Sequence, residues 1–286
     1  MSRGAYEVVK RIYFKIKKRQ LWLFAHLFGY RFRCRSLTGE SDHGLTINSD
    51  LTLTCNCSDY KGEGQLGSLK TQPFMEILRG VKANAFRESL GRGRLPIDRC
   101  IGCADLEKLK KGALENQIVA PKRILVENIS GCNLRCTQCN RRDVREHRKQ
   151  VQMSLEDMEI VAKTVKELGI LRVNYYNLGE PFLSPNILEE LTILKKENPD
   201  IELFTSTNGL LLRGEKKVRA ALLFDHIYFT LPGGDQESVE KYQKGQDFAQ
   251  TIRNISGLIS GEFDRSNTIR QKRNRMSDIR IKKTQL

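Results

Sequence analysis

Three cysteines lie close together in one short segment. The segment reads Ser130-Gly131-Cys132-Asn133-Leu134-Arg135-Cys136-Thr137-Gln138-Cys139. A four-iron cluster ordinarily takes four cysteines, so three thiolates in a C-x3-C-x2-C loop can hold three of its irons. The fourth iron is then open to a ligand from outside the protein, which is a catalytic arrangement. The alternative is zinc, although zinc commonly uses two C-x2-C pairs or mixtures of Cys and His.

Predicted strands and helices alternate around this segment and must position it. Residues 123–128 form a short apolar run typical of a buried strand, and the cysteines follow its C-terminal end. Ser154, with Asp157 three residues later, predicts the start of an amphipathic helix. Further strands are predicted at 172–178, 201–205 and 226–231, with helices from Ser184 and over 215–221. This alternation is typical of parallel βα units.

Each predicted strand ends in a polar or glycine-rich piece. After the cysteine loop come 178–181 (Leu-Gly-Glu-Pro), 206–209 (Ser-Thr-Asn-Gly) and 231–234 (Leu-Pro-Gly-Gly). In parallel barrels the chemistry lies at the C-terminal ends of the strands, so these pieces are expected to meet at one mouth. Glu180 suits an ammonium ligand, because an ionised carboxylate accepts charge-assisted hydrogen bonds. Taken alone, Gly179-Glu180-Pro181 would be an ordinary turn.

Together, the cysteine spacing and these strand-end pieces resemble the radical S-adenosylmethionine (radical SAM) superfamily. The resemblance implies that Cys132, Cys136 and Cys139 are catalytic and hold a 4Fe-4S cluster whose open iron chelates S-adenosyl-L-methionine. It also implies cleavage of that cofactor to a 5′-deoxyadenosyl radical, which abstracts hydrogen from a peptide, a protein or a small molecule. An electron donor such as flavodoxin or ferredoxin is implied as a partner. The residues expected to bind the cofactor are Gly179, Glu180, Ser206 and Asn208.

Two features depart from the family pattern. Gln138 stands where radical SAM loops usually carry an aromatic residue beside the adenine. The family barrel usually has six βα units, whereas four are predicted here before the pattern stops near Ile259. The following segment, 261–286, is basic and shows no strand signal. It is either a disordered tail or a sign that the chain is truncated, and we favour truncation because a four-unit barrel leaves its last strand with an open edge.

A second cysteine set precedes the core. It consists of Cys55, Cys57, Cys100 and Cys103, in the order C-x-C and then C-x2-C. Four thiolates suit zinc or a four-iron cluster. The order of a hairpin, a helical stretch over 73–90 and the C-x2-C pair resembles the SPASM and twitch modules, which implies a second, auxiliary iron-sulfur cluster. Cys34 has no partner spacing and is interpreted as a buried or spare thiol.

The net charge of +15 is concentrated at the two ends of the chain. Residues 1–36 carry ten Lys and Arg against Glu7, and residues 265–286 carry eight against Asp278. A nucleic-acid enzyme would more often place its basic stripe on the folded domain, so nucleic acid is not expected as a partner. The N-terminal run mixes basic and apolar residues as an interfacial helix does. It is compatible with peripheral membrane contact, although docking on the neighbouring module is commoner.

The predicted fold class is therefore α/β, a partial and truncated parallel (β/α) barrel of the radical SAM type behind a small cysteine-rich α+β module. Four segments are expected: a basic amphipathic segment at 1–36, a SPASM-like module at 37–118, the core at 119–260 and a basic tail at 261–286. Neither a signal peptide nor a transmembrane helix is expected from the sequence, and eight cysteines in two metal-like sets suggest the reducing cytoplasm. Two alternatives stay open: a truncated, non-catalytic iron-sulfur relative and a zinc-binding interaction module.

Overall fold

A single eight-stranded sheet runs through most of the chain in a computed structural model that describes residues 3–110, 117–260 and 278–283. The strands are β1 (Tyr30–Cys34), β2 (Thr46–Ile47), β3 (Thr52–Thr54), β4 (Gln65–Ser68), β5 (Leu106–Lys110), β6 (Arg123–Val126), β7 (Arg172–Asn174), β8 (Glu202–Thr207), β9 (His226–Leu231) and β10 (Asp278–Lys283). The order in the sheet is β10-β9-β8-β7-β6-β2-β3-β4, while β1 and β5 form a separate antiparallel ribbon.

Ten α-helices connect and cover the strands in the described part of the chain. They are α1 (Arg3–Leu27), α2 (Arg35–Thr38), α3 (Phe74–Arg79), α4 (Val81–Gly91), α5 (Arg141–His147), α6 (Leu155–Leu168), α7 (Ile187–Glu197), α8 (Glu215–Ala221), α9 (Gln236–Tyr242) and α10 (Phe248–Ser260). No helix among the described residues combines the length and the apolar character needed to cross a bilayer.

The central βα units follow the sequence prediction closely. Strand β9 and helix α8 have the predicted bounds, and α6 begins with the predicted capping box, in which Ser154 and Asp157 bond each other's backbone N–H groups. Strand β7 is shorter than predicted and ends at Asn174, although the Tyr175 N–H still donates to the Phe204 carbonyl at 2.7 Å. Helix α7 begins at Ile187 rather than at Ser184, after a short 3₁₀ turn over Pro181–Leu183.

The parallel part of the sheet has six strands, two more than the sequence predicted. Strand β2 pairs parallel with β6, and β10 pairs parallel with β9. The absence of a strand from residues 261–286 was therefore a wrong expectation, since 278–283 form β10 along the edge of β9. The rest of that predicted tail, 261–277 and 284–286, lies outside the described residues. Strand β2 was hard to recognise because it has only two residues.

The predicted N-terminal module shares its sheet with the predicted core. The hairpin β2–β3 forms where the sequence indicated it, and β4 extends it, so these short strands continue the sheet beyond β6. The predicted helical stretch 73–90 is two helices, α3 and α4, because Gly80 is extended and begins α4 as its N-cap.

The two faces of the parallel sheet differ in character. Alternate residues of a strand point to opposite faces. One face is buried against helices α6, α7 and α8 and contributes to the main apolar core; its residues include Val173, Leu203, Ile227 and Phe229. The other face, which we call the polar face, carries Arg172, Asn174, Glu202, Phe204, Ser206, His226, Tyr228 and Thr230. Asn174 donates to the Asp42 carbonyl at 3.3 Å, so the N-terminal half of the chain reaches this face.

Candidate functional site

The cysteine loop begins where β6 ends. The Ser130 N–H donates to the Val151 carbonyl at 2.8 Å, so the start of the loop is held against the segment that precedes α6. The side chains of Cys132 and Cys136 are half-buried, while Cys139 is exposed. The Leu134 N–H lies 3.4 Å from the Cys132 sulfur and donates to it. Backbone donors of this kind favour a thiolate, which is the form that binds metal.

The second half of the loop lies against the chain that follows α9. The Arg135 N–H donates to the Lys244 carbonyl at 3.0 Å, and the Thr137 N–H donates to the Tyr242 carbonyl at 2.9 Å. Burial raises the pKa of the Tyr242 hydroxyl, and the charges of Cys136 and Cys139 raise it further. Tyr242 therefore lies beside two of the three predicted cluster ligands. The sequence analysis did not identify it, because nothing in its own segment marks the contact.

The turn after β7 packs directly on the cysteine loop. The Glu180 N–H donates to the Gly131 carbonyl at 2.7 Å. A Cβ on Gly179 would lie only 1.9 Å from the carbonyl oxygen of Ile129 and 2.8 Å from that of Gly131. Only glycine permits this approach of two backbones, so Gly179 is required for packing against the loop.

The carboxylate of Glu180 connects the ends of β7 and β8. Its Oε1 accepts from Thr207 Oγ1 at 2.7 Å and from the Phe182 N–H at 3.2 Å, and its Oε2 accepts from the Asn208 N–H at 2.9 Å. Burial raises the pKa of Glu180, although these three hydrogen bonds and the charge of Lys217 oppose the increase. Since a carboxylate offers about four acceptor positions, one remains for a donor such as an ammonium.

Asn208 contacts both the Glu180 carboxylate and the cysteine loop. Its side-chain Nδ2 donates to Asn133 Oδ1 at 3.0 Å and lies 4.0 Å from the Cys132 sulfur. Its backbone carbonyl accepts from Gln246 Nε2 at 2.9 Å. The structure thus brings Asn208, Glu180 and Gly179 together with the cysteine loop. Asn133 and Gln246 are further members of this group that the sequence analysis did not single out.

Ser206 does not join this group through a hydrogen bond. Its hydroxyl lies 3.2 Å from the hydroxyl of Thr230 on the polar face. Nearby on the same face, the rings of Phe204 and Tyr228 have centroids 4.7 Å apart, and Tyr176 lies 5.7 Å from Phe204. Ser206 therefore belongs to the aromatic and hydroxyl surface beside the cysteine loop.

A buried ion pair lies at the end of β6. Arg148 Nε donates to Glu127 Oε1 at 2.9 Å, and both side chains are fully buried. Glu127 Oε2 also accepts from Asn177 Nδ2 at 3.1 Å, which links the pair to the turn after β7. No local sequence pattern indicates this pair, because its members come from separate loops.

The second cysteine set also comes together, and Cys34 lies with it. Burial raises the pKa of Cys34 to about 12 and that of Cys100 to about 11, and in both thiols the charge of Cys103 contributes. The register of the β1–β5 ribbon explains this proximity: Cys34 pairs with Leu106, whose N–H donates to the Cys103 carbonyl at 3.2 Å. Cys34 is half-buried, and the cysteines of the second set lie beside it. Strand pairing, which the sequence did not reveal, brings them together.

A small cavity opens at this second set. It measures about 150 Å³ and is lined by Cys57, Cys103, His43 and Asp105, among others. Asn56 Nδ2 donates to the Cys103 sulfur at 3.4 Å. Burial raises the pKa of Tyr176, and the Cys57 charge adds to this effect. The second set therefore lies close to the aromatic surface of the polar face.

The chemistry of the three cysteines in the first loop limits which metal group they can hold. Among the described residues, no three Cys, His, Asp or Glu side chains are gathered closely enough to hold a single metal ion. Iron-sulfur clusters take one thiolate per iron, and one loop with three thiolates supplies three of these ligands. Thiolate-only sites also hold zinc, usually with four protein ligands. The residues of the first loop therefore fit a 4Fe-4S cluster.

A family model described as "Radical SAM superfamily" matches residues 127–269, which is half of the chain. GTP 3',8-cyclase of Chlorobaculum tepidum is 27% identical over 132 residues, which cover 46% of this chain and 39% of that protein. The FeMo cofactor biosynthesis protein NifB of Frankia alni is 31% identical over 129 residues, or 42% of this chain and 25% of that protein. The chain thus spans less than half the length of these relatives.

Solved structures with a related arrangement are also found. Native anSMEcpe with bound AdoMet has a TM-score of 0.42 at 22% identity, covering 56% of this chain and 44% of that chain. The crystal structure of BtrN in complex with AdoMet and 2-DOIA has a TM-score of 0.37 at 18% identity, covering 56% and 55%.

Proposed function

The chain belongs to the radical SAM superfamily, and from this we propose that Cys132, Cys136 and Cys139 bind a 4Fe-4S cluster with one iron open to S-adenosyl-L-methionine. The contact between the Glu180 N–H and the Gly131 carbonyl, at 2.7 Å, is the observation that carries the proposal. It supports the proposal because the turn expected to bind the cofactor contacts the loop expected to hold the cluster. The parallel strands end there, where enzymes built on parallel barrels have their active sites.

When bound and reduced, such a cluster supplies the electron that cleaves S-adenosyl-L-methionine to methionine and a 5′-deoxyadenosyl radical. The chain's own residues provide binding and orientation. Glu180 presents its remaining acceptor position to the methionine ammonium, and Gly179 lets the turn approach the loop. The backbone N–H of Asn208 donates to the Glu180 carboxylate, and the Asn208 side chain donates to Asn133 in the cysteine loop. Asn208 thereby holds both groups in position. The aromatic surface formed by Tyr176, Phe204 and Tyr228 offers apolar contact to the adenosyl group or the substrate.

The second cysteine set is proposed to hold an auxiliary iron-sulfur cluster. Its four predicted ligands are Cys55, Cys57, Cys100 and Cys103. His43 lines the cavity together with Cys57 and Cys103, and its Nδ1 lies 3.4 Å from Asn174 Nδ2 on the polar face, so the second set adjoins the face where a substrate would bind. The proposed reaction class is hydrogen abstraction from a peptide, a protein or a small molecule, followed by oxidation of the substrate radical through the auxiliary cluster. Flavodoxin or ferredoxin would supply the first electron.

Anaerobic reconstitution followed by iron and sulfide counting tests the proposal. We expect about eight irons per chain for two four-iron clusters. After dithionite reduction and addition of S-adenosyl-L-methionine, chromatography should detect 5′-deoxyadenosine. Cys136→Ala should abolish it and remove about half of the iron. Cys57→Ala is the matched control for the second set: it should lower the iron content while leaving cofactor cleavage measurable.

Each other result changes the proposal in a defined way. Iron without 5′-deoxyadenosine would support the non-catalytic relative. Zinc without iron would support the interaction module and would contradict the radical chemistry, because zinc has no redox chemistry. About four irons, all retained in Cys57→Ala, would overturn the auxiliary cluster alone.

A further inference from the structure

Helix α1 has two apolar sides, and only one of them packs on the protein. The packed side follows the spacing of Phe14, Lys18, Leu21 and Ala25. Ala25 is completely buried, and Lys18 Nζ lies 2.8 Å from Asp98 Oδ1. Through this packed side, the helix is attached to the part of the protein around the second cysteine set. The packing does not explain the apolar residues on the opposite side of the helix.

The opposite side, which we call the outer apolar stripe, is exposed along most of the helix. Ile12 and Ile16 are 53% and 52% exposed, and Leu27 is 78% exposed. A row of exposed apolar residues that extends along most of a helix is unusual on a protein surface in water and marks an interaction surface. Its members are Val8, Val9, Ile12, Tyr13, Ile16, Leu23, Phe24, Leu27 and Phe28.

Exposed basic side chains flank the outer apolar stripe. Lys15 and Arg19 lie four residues apart along one flank, and Lys17 lies on the other flank. From residue 8 to residue 39 the sequence contains no Asp or Glu. Apolar residues in the middle with bases on both sides are typical of a helix that lies in a membrane interface.

The C-terminal end of α1 continues this surface. The ring centroids of Phe24 and Phe28 are 4.6 Å apart, and Phe24 stacks on Tyr30. Lys108 Nζ lies 4.7 Å from the centroids of both the Phe24 and the Tyr30 rings. Exposed Lys110 stands beside Tyr30 in the β1–β5 ribbon. Aromatic rings with adjacent cations suit the headgroup level of a bilayer.

We propose that the outer apolar stripe of α1 docks on the surface of a bilayer containing anionic phospholipids, with the helix lying in the plane of the interface. The stripe enters the boundary between headgroups and acyl chains, while the exposed side chains of Lys15, Lys17 and Arg19 contact lipid phosphates. Charge complementarity selects this occupant. A second copy of the chain would bring like-charged rows together, and a nucleic acid would leave the apolar centre uncovered. The proposal does not depend on the radical chemistry.

Co-sedimentation of the full chain with lipid vesicles tests this inference. Vesicles of phosphatidylcholine containing phosphatidylserine should bind the protein, and pure phosphatidylcholine vesicles should bind it more weakly. Lys15→Gln/Lys17→Gln/Arg19→Gln should lower the affinity for the anionic vesicles by about a hundredfold. Ile12→Asp/Ile16→Asp should lower it by at least about tenfold, because apolar burial is lost.

The matched control replaces two exposed apolar residues elsewhere, as Val81→Asp/Leu171→Asp. Val81 is 89% exposed and Leu171 is 64% exposed, so this variant adds the same charge away from α1 and should bind like the unmodified protein. Circular dichroism checks that each variant is folded. Unchanged binding of folded Ile12→Asp/Ile16→Asp would overturn the proposal. A second result would also overturn it: the unmodified protein does not bind anionic vesicles and forms a dimer that Ile12→Asp/Ile16→Asp dissociates. The stripe would then be covered by a second copy of the chain.

Discussion

Asn208 holds the cysteine loop through Asn133: its Nδ2 lies 3.0 Å from Asn133 Oδ1 and donates to it. The backbone N–H of the same residue donates to Glu180 Oε2 at 2.9 Å. A single residue at the end of β8 therefore orients both the loop that carries the cluster ligands and the carboxylate after β7. A residue that acts in this way need not touch the cluster to affect its binding.

Replacing Asn208 with Ala should weaken cluster retention. The substitution removes the hydrogen bond to Asn133, whose half-buried Oδ1 loses that donor, at a cost of about 1 kcal/mol. The reconstituted variant should lose iron to a chelator faster than the unmodified protein. Ser206→Ala is the control, because Ser206 bonds only Thr230 among the described residues. Equal rates of iron loss in Asn208→Ala and the unmodified protein would contradict the role of Asn208.

Replacing Gly179 with Ala should destabilise the fold around the mouth. The new Cβ would lie 1.9 Å from the Ile129 carbonyl oxygen, which is a backbone atom and cannot rotate away. We expect the free energy of unfolding to fall by about 3 kcal/mol or more, measured by urea denaturation. Gly234→Ala is the control, since a Cβ there has no neighbour within 4 Å. If the two variants prove equally stable, the close approach of the two backbones is not rigid.

The sequence predicted well those features that local patterns determine. The capping box at Ser154 fixes the start of α6, and strand β9 follows its apolar alternation. The pieces after β6, β7 and β8 meet as expected, because parallel strands end at the same edge of a sheet. Gly179, Glu180 and Asn208 could therefore be placed near the cysteine loop from their order alone.

Features that depend on contacts between distant segments could not be predicted. Strand β2 has two residues, and its pairing with β6 leaves no pattern in the sequence. The approach of Cys34 to Cys103 depends on the register of the β1–β5 ribbon. Tyr242 reaches the cysteine loop through backbone hydrogen bonds, which any residue can make. In each case the local sequence is compatible with many partners, and the tertiary fold selects one.

The stability of the protein should depend on the ionisation of Glu180. Burial raises its pKa, so the folded protein binds this proton more tightly than the unfolded chain, whose carboxyl has an ordinary value near 4.5. The contribution of Glu180 is thus most favourable below pH 4.5 and falls as pH rises towards the raised folded value. The difference in unfolding free energy between the unmodified protein and Glu180→Gln should therefore decrease above pH 4.5, by at most about 1.4 kcal/mol per pH unit.

Urea unfolding of both proteins between pH 4 and pH 8 measures this difference. Subtracting the Gln variant cancels the titration of the other carboxyl groups, provided that they do not interact with Glu180. A difference that rises with pH would show that the hydrogen bonds from Thr207 and Asn208 outweigh burial. The pKa of Glu180 would then lie below its ordinary value instead of above it.

Alkylation should distinguish the two cysteine sets in the reduced, metal-free protein. With its pKa raised to about 12 by burial, Cys34 is ionised in roughly one molecule in ten thousand at pH 8, and the thiolate is the reactive form. Cys139 is exposed. Iodoacetamide should therefore label Cys139 first and Cys34 and Cys55 last, as followed by peptide mass spectrometry. In guanidinium chloride all three should react at similar rates, and rapid labelling of Cys34 in the folded protein would show that its strand is not closed.

The buried pair of Glu127 and Arg148 should be a strong determinant of stability. Both side chains are fully buried. Among the described residues, Arg148 Nη1 and Nη2 have no hydrogen-bond partner, and Glu127 is the one carboxylate paired with the Arg148 guanidinium. Arg148→Met would leave the Glu127 carboxylate buried without a cation, which costs about 3–5 kcal/mol. Adding Glu127→Gln should recover part of this loss, because the uncompensated charge is then removed as well.

Urea unfolding of the two single variants and the double variant gives the coupling energy of this pair. The exposed pair of Lys241 and Glu237 provides the comparison, since their side chains are 67% and 85% exposed. Lys241→Met should change the unfolding free energy by less than about 1 kcal/mol. If Arg148→Met were equally mild, water would have to reach Glu127. The end of β6, which lies a few residues before the cysteine loop, would then be hydrated.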